Sequence, residues 1–432
     1  MSAWLTGPDE ALALVRGDGE RWTLGRLRQA VAEVTLPERG PVVVCTSDAA
    51  TLIAHGLAAW EAGRLFVPLD PTLPKARRDE IRARLRSADL PDNAALGLCT
   101  SGSTAQERVV LLGRQGIEAN VSAILDYLPL GPEDRLALPL PLTHGYGWVG
   151  CVLTALRAGA GLVLLGELPH VGDQVALMRS AQATALASVP AGLRRLADAA
   201  EGPIEGLRWV ASAGAPMERA DALVAAFPGA RRFDQYGLTE ASPRVGWASD
   251  AEPDFGSGRM RPLAGLRVSA VHVDGRAGSP DAPAPLVVQG PSVMLGYLDE
   301  PVAQARVLGP SGLRTGDLGW IEDDGRFCVA GREDNVVKVA GERVDVGAVG
   351  RRIAAAPGVR DAAVVDVPDA VRGRALVAVV VGEGADGVRL WARTHLRPAE
   401  RPKRVVQAEV LPRTASGKLD SRALRALVQE MP

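Results

Sequence analysis

The chain has 432 residues, 47% of them apolar, and a formal net charge of −2. That length implies more than one domain, that apolar share a sizeable core, and that charge leaves no electrostatic footprint for nucleic acid or an anionic membrane surface. No apolar run reaches the ~20 residues of a membrane span, no basic stretch followed by an apolar core opens the chain, and Cys45, Cys99, Cys151 and Cys328 are widely spaced free thiols, so a cytoplasmic protein is expected.

In chain order, 41–46 reads as a buried strand, 49–62 as a helix and 66–69 as a second strand. The alternation resumes with a strand at 161–165, a helix at 172–181, a strand at 185–189, a helix at 191–199, a strand at 209–212 and a helix at 217–227. Continuous apolar strands separated by helices predict an α/β fold with a parallel sheet covered on both faces. From about 256 the chain is punctuated by Gly and Pro around short strands at 268–273, 286–289 and 327–329, which predicts a β-rich subdomain. After 334 comes a small α+β unit: strand 336–339, helix 346–356, strands 361–367 and 375–381, helix 387–396, a loop at 412–418 and a helix at 420–429. The expected domains are therefore 1–333 and a smaller lobe at 334–432.

Five short motifs punctuate this frame. Leu-Cys-Thr-Ser-Gly-Ser-Thr at 98–104 packs hydroxyls around a glycine, suited to phosphate oxygens, although no lysine follows in the register of a P-loop. Read alone it is as readily a polar turn. Tyr-Gly-Leu-Thr-Glu at 236–240 sets the Glu240 carboxylate after a Gly turn, where it suits a phosphate-bridging magnesium ion. Asp317 in Thr-Gly-Asp suits two ribose hydroxyls, and Arg332 in Gly-Arg-Glu-Asp adds a donor. Ser-Gly-Lys at 416–418 ends a flexible loop in a cation. Taken singly, each of these residues is more often a turn or surface residue. Only Lys75, Lys338, Lys403 and Lys418 are lysines among 49 Lys+Arg, so a lysine in a Gly-flanked loop stands out as a compact, rotatable charge. His144 lies in an aromatic, Gly-rich turn at 139–148 that suits a pocket wall as well as it suits core packing. The five histidines show no metal-ligand spacing.

In order, and together with Gly-Arg-Glu-Asp-Asn-Val-Val-Lys-Val-Ala-Gly-Glu-Arg-Val-Asp at 331–345 and Pro-Arg-Thr-Ala-Ser-Gly-Lys-Leu at 412–419, these segments resemble the ANL superfamily of adenylate-forming enzymes over about 41–425. The resemblance implies a large N-terminal domain of parallel sheets with a β-rich subdomain, and a small mobile C-terminal domain. It implies that a small carboxylic acid attacks the α-phosphate of Mg·ATP, giving an acyl-adenylate and pyrophosphate. The acyl group then passes to the thiol of CoA or of a carrier-protein phosphopantetheine. By motif position, Thr100, Ser101, Gly102, Ser103 and Thr104 hold the phosphates, Thr239 meets the α-phosphate and Glu240 the magnesium. Gly214, Ala215, Pro216 and Tyr236 flank adenine, and Asp317 and Arg332 bind ribose. Lys418 stabilises the adenylation transition state, with His144 beside the reacting groups. Asp334 is the hinge about which the C-terminal lobe swings. No carrier domain is expected within the chain.

The resemblance also marks departures. The phosphate loop ordinarily continues Gly-x-Pro-Lys and here reads Ala105-Gln106-Glu107-Arg108, and the stretch from Pro71 to Leu98 is short. The acidic pair that opens the helix after 345 is replaced by Ala348 and Gly350. Amino-acid-activating members carry an aspartate where this chain has Tyr146, and a buried ammonium without a carboxylate is costly. An aryl or medium-length acyl acid is expected instead, in a pocket of Tyr146, Trp148, Gly150, Ser212, Ala213, Gln235 and Gly237. The altered loop leaves a second reading, a non-catalytic nucleotide-binding relative. A third passes the acyl group to an amine or hydroxyl.

Overall fold

The computed structural model describes residues 4–100, 108–215, 217, 221–340, 342–369, 373–413 and 419–430. The chain forms two compact units. The first comprises residues 1–268, 287–313 and 323–327, and the second 269–286, 314–322 and 328–432. The fold is the mixed α/β arrangement that the alternation predicts.

The first unit holds two sheets. In one, strands Val42–Val44, Phe66–Pro68 and Ala94–Thr100 run parallel, and Arg108–Gly113 and Gly296–Tyr297 add antiparallel edges. Helix Ala49–Glu61 starts at an Asp48 cap whose side chain accepts the Thr51 N–H, and it buries Leu52, Ile53 and Leu57. Helix Lys75–Ser87 crosses the shortened stretch. It is strongly charged and buries only Ile81 and Leu85, one turn apart, which is why its pattern is faint in the sequence.

In the other sheet, Trp209–Ala213 lies parallel between Ala185–Ser188 and Arg231–Gly237. Arg135–Ala137 and Gly161–Val163 continue the parallel run, and Leu12–Val15 joins it. On both sides of this parallel run the sheet departs from the all-parallel expectation. Arg244–Ser249 folds back antiparallel on Arg231–Gly237, and Arg21–Thr23 does so on Leu12–Val15. The tight return at 237–244 permits antiparallel pairing, whereas a parallel partner needs a long crossover.

In the second unit, strands Val359–Asp369, Gly373–Gly382 and Arg404–Ala408 form a sheet that is apolar on both faces. Leu376, Ala378 and Val380 pack with Val349, Ile353 and Val388 of helices Val346–Ala354 and Ala385–His395. Val377, Val379 and Val381 pack with Leu424 and Val428 of helix Ser421–Glu430. Asp345 caps helix Val346–Ala354 by accepting the Ala348 N–H at 3.0 Å, so the helix keeps a favourable carboxylate at its start despite Ala348 and Gly350. Among the described residues, no helix is long and apolar enough to cross a membrane.

Candidate functional site

Strands Ala94–Thr100 and Arg108–Gly113 pair directly, with Thr100 opposite Arg108 at the root of the phosphate-loop segment. Ser101, Gly102, Ser103 and Thr104 lie outside the described residues. Arg108 is held on two sides. Its Nε donates to Glu300 Oε2 at 3.1 Å, and its guanidinium lies over the Tyr297 ring at 5.5 Å. Arg84 approaches the same Glu300 at 3.4 Å.

Tyr297 leads from this cluster to Glu240. Its hydroxyl donates to Glu240 Oε1 at 2.9 Å, while the Met294 N–H donates to the Glu240 main-chain oxygen at 2.8 Å. Burial, and then the adjoining Glu240 carboxylate, push the Tyr297 phenol well above its ordinary range, so it stays a donor. Glu240 follows strand Arg231–Gly237 in a single turn, Thr239–Ala241, that also carries Thr239. The turn closes because Gly237 has no side chain: a Cβ there would overlap the Pro243 carbonyl. One fixed, partly buried carboxylate suits magnesium, which usually takes one or two carboxylates and completes its shell with water and phosphate oxygens. No cluster of three or more His, Cys, Asp or Glu residues suited to a metal occurs among the described residues.

In the stretch expected to flank adenine, Ser212 and Ala213 are buried at the end of strand Trp209–Ala213, and Gly214 and Ala215 emerge exposed beyond it. Pro216 lies outside the described residues. Asp234 anchors this stretch, accepting the Met217 N–H at 3.1 Å. Asp234 is 2% exposed, and burial raises its carboxyl to about 6 against the pull of the Met217 and Gln235 amides. Tyr236 packs edge-on against Phe327, 5.6 Å between centroids.

Gln235, one residue on and therefore on the opposite face of the strand, donates through Nε2 to the Tyr127 hydroxyl at 2.8 Å. Tyr127 in turn stacks on Trp247 at 4.5 Å. Tyr146 hydrogen bonds to the Ala211 carbonyl at 3.4 Å. It sits at the start of a helical stretch whose Trp148–Leu153 segment is π-helical, a local widening that recurs at functional sites. Gly150 lies against Tyr146: a Cβ there would stand 3.1 Å from Tyr146 Cδ2. Trp148 is packed elsewhere. Its ring meets Phe66 at 4.9 Å and fills the space over Gly56. The His144 carbonyl accepts the Trp148 N–H at 2.8 Å, fixing the turn at this helix start. Cys151, one turn below, is buried, and burial pushes its thiol up to about 12.

The sequence reading missed Arg244. Its guanidinium lies over the Tyr146 ring at 4.8 Å, and the residue is 1% exposed. Asn120 of helix Arg114–Tyr127 holds the backbone here, donating to the Ala241 and Arg244 carbonyls at 3.2 and 2.8 Å and accepting the Arg244 N–H at 3.3 Å. The available signal was a lone charge sharing one strand face with Gly246 and Ala248, directly after the Glu240 motif.

In the second unit, Asp317 is 8% exposed and its N–H donates to Thr315 Oγ1 at 3.0 Å. Thr315 Oγ1 donates in turn to the Leu286 carbonyl at 3.1 Å. Arg332 stands 3.6 Å from Asp317 and also donates to Asp334 at 3.0 Å. Asp317, Arg332 and Asp334 are thus brought together, whereas Lys418 lies outside the described residues.

Comparison with known proteins agrees with these features. The AMP-binding enzyme model matches residues 83–298, and the AMP-binding enzyme C-terminal domain matches 351–418. Feruloyl-CoA synthase from Amycolatopsis sp is 30% identical over 385 residues, covering 85% of this chain and 75% of that protein. 4-Coumarate–CoA ligase from Vanilla planifolia is 29% identical over 357 residues. That match covers 78% of this chain but only 64% of the ligase, so the chain spans under two thirds of that relative's length. Among solved structures, ATP-bound MatB from Rhodopseudomonas palustris superposes with a TM-score of 0.86 at 22% identity, over 100% of both chains. The amide bond synthetase McbA from Marinactinospora thermotolerans superposes with a TM-score of 0.84 at 25% identity, over 98% of both. With both family models matched in the expected order and a 30% identical relative aligned over most of its length, the chain belongs to the AMP-binding enzymes of the ANL adenylate-forming superfamily.

Proposed function

We propose that this chain activates a carboxylic acid with ATP, releasing pyrophosphate, and then passes the acyl group to the thiol of CoA or a separate carrier protein. The observation that carries the reading is Glu240, a carboxylate in the AMP-binding match that the Tyr297 hydroxyl holds in one orientation. The names of the relatives, feruloyl-CoA synthase and 4-coumarate–CoA ligase, support acid activation followed by thioester formation.

In the first half-reaction an acid oxygen bonds to the α-phosphorus, and the bond to the β-phosphate oxygen breaks. Glu240 would hold the magnesium that neutralises the leaving pyrophosphate. Thr239 lies beside it for the α-phosphate, and Asp317 and Arg332 take the ribose hydroxyls. Lys418 meets the charge that develops at the reacting oxygens. In the second half-reaction a thiolate bonds to the acyl carbon and AMP leaves. Asp334 is the proposed hinge between residues 1–333 and 334–432.

ATP–pyrophosphate exchange against aryl, short-, medium- and long-chain acids, with amino acids included, tests the reading. Exchange with an aryl or acyl acid, lost more than ~100-fold in Lys418→Ala with ATP binding kept, is the expected result. Exchange with amino acids overturns the reading of Tyr146. Absence of exchange in protein that binds ATP supports the non-catalytic alternative. The likeness to an amide bond synthetase favours a second acceptor, an amine. Offering CoA and amines in separate reactions distinguishes thioester from amide.

A further inference from the structure

We infer that the acid this site accepts carries a second carboxylate, which the Arg244 guanidinium holds. The inference rests on the acid-activating reading and names the substrate class within it.

Arg244 is 1% exposed, and its Nε and Nη2 have no hydrogen-bond partner among the described residues. A guanidinium withdrawn from water this completely is ordinarily paired, because an uncompensated buried charge costs several kcal/mol. Stacking on Tyr146 offsets part of that cost.

Among the described residues no carboxylate forms an ion pair with Arg244; Asp234 feels its charge only as the weakest influence on its carboxyl. Tyr127 and Tyr146 are neutral neighbours whose phenols burial raises above their ordinary range against the pull and hydrogen bonding of Arg244, and burial likewise keeps the Cys151 thiol protonated. Gln235 is neutral. Asp234 belongs to the opposite face of its strand, where it accepts the Met217 N–H. A buried guanidinium with two open nitrogens and no ion-paired carboxylate among the described residues matches a carboxylate with its paired oxygens.

The guanidinium also points to the right place. A Cβ on Gly150 would stand 3.3 Å from Arg244 Nη2 and 3.1 Å from Tyr146 Cδ2, so the open nitrogen lies against Gly150 and Tyr146, two residues expected to line the acid pocket. The main chain around Arg244 is fixed by Asn120, so the charge is carried on a rigid base. The reacting carboxylate belongs at the Thr239–Glu240 end, and Arg244 follows that turn by four residues. The second carboxylate is therefore the end of the acid remote from the chemistry.

The test is ATP–pyrophosphate exchange by the full chain with matched pairs: benzoate against benzenedicarboxylates, hexanoate against adipate, cinnamate against carboxycinnamates. In the preferred pair the diacid is expected to exceed the monoacid by about 100-fold or more in kcat/KM, the range for sites built to pair a polar group. Arg244→Met should abolish that preference and accept the monoacid at least as well. Arg244→Lys should keep part of it. The thermal midpoint of Arg244→Met should equal or exceed that of the unaltered protein, because an apolar side chain replaces an unpaired charge. Preference of the unaltered protein for monoacids, or an unchanged diacid preference in Arg244→Met, would overturn the inference while leaving acid activation standing. A large fall in the midpoint of Arg244→Met would also overturn it, since it would mean that the guanidinium already has its partner within the fold. Absence of exchange with every acid would instead remove the acid-activating reading, and this inference with it.

Discussion

Glu240 and Asp317 are the two carboxylates that the motifs mark for the nucleotide, and the protein holds them by different means. Glu240 receives a neutral donor, the Tyr297 phenol at 2.9 Å. Asp317 faces a cation, Arg332 at 3.6 Å, which it shares with Asp334. The first arrangement suits a carboxylate that must attract a metal. The second suits one that must accept hydroxyl protons without collecting ions. Rigidity differs too: Tyr297 is 8% exposed, whereas the Arg332 side chain is half exposed and shared with Asp334.

This contrast can be broken at its strongest point first. Glu240→Gln keeps the shape and removes the charge, and should lower pyrophosphate exchange by about 1000-fold, ~4 kcal/mol, with a raised magnesium requirement. A loss under tenfold would mean that Glu240 is no more a metal ligand than Asp317. Next comes Asp234, a third carboxylate, buried with no ion pair among the described residues and only the weak pull of the Arg244 charge. Its folded value of about 6 lies above the ordinary 3.8, so the stability it contributes is present below pH ~4 and is lost as pH rises through about 6. Asp234→Asn can still accept the Met217 N–H but removes this loss. The variant should therefore gain on the parent between pH 4 and 6.5, levelling at on the order of 3 kcal/mol in denaturant titrations. A constant offset across that range would contradict the assignment.

Tyr297→Phe should act more mildly, lowering kcat/KM about tenfold and shifting the apparent magnesium affinity, since one hydrogen bond to a charged group is removed. An unchanged magnesium dependence would separate Tyr297 from the metal's carboxylate. Arg332→Lys should have the smallest effect, raising the KM for ATP by about threefold with kcat nearly unchanged, because a partly exposed pair contributes little. A fall in kcat instead would place Arg332 with Glu240 in the chemistry.

The family was legible in the sequence because its glycine and hydroxyl motifs are local: a turn, its flanking strand and the residue marked for the nucleotide lie within a few positions. The parallel strands were legible for a similar reason, since Ala185–Ser188 and Trp209–Ala213 are buried on both faces and read as unbroken apolar runs. The acyl side was less so. Trp148 was expected in the pocket, yet its ring finds Phe66 and Gly56, residues more than eighty positions earlier. Arg244 shared a strand face with Gly246 and Ala248, but its enclosure depends on Tyr146 and Gly150 arriving from another part of the chain, which no local pattern shows. Helix Lys75–Ser87 stayed hidden behind its charges, and hairpin Leu12–Thr23 behind strands of only a few residues.

The Asn120 amide touches only main-chain atoms of 241 and 244, never their side chains. The bend that presents position 244 is therefore insured independently of which amino acid stands there. Such a position can drift between a charged, a polar and an apolar residue without disturbing the neighbouring turn that carries Thr239 and Glu240. A change at 244 alone could exchange one class of acid for another, whereas a change at Asn120 would release the main chain on both sides of the turn.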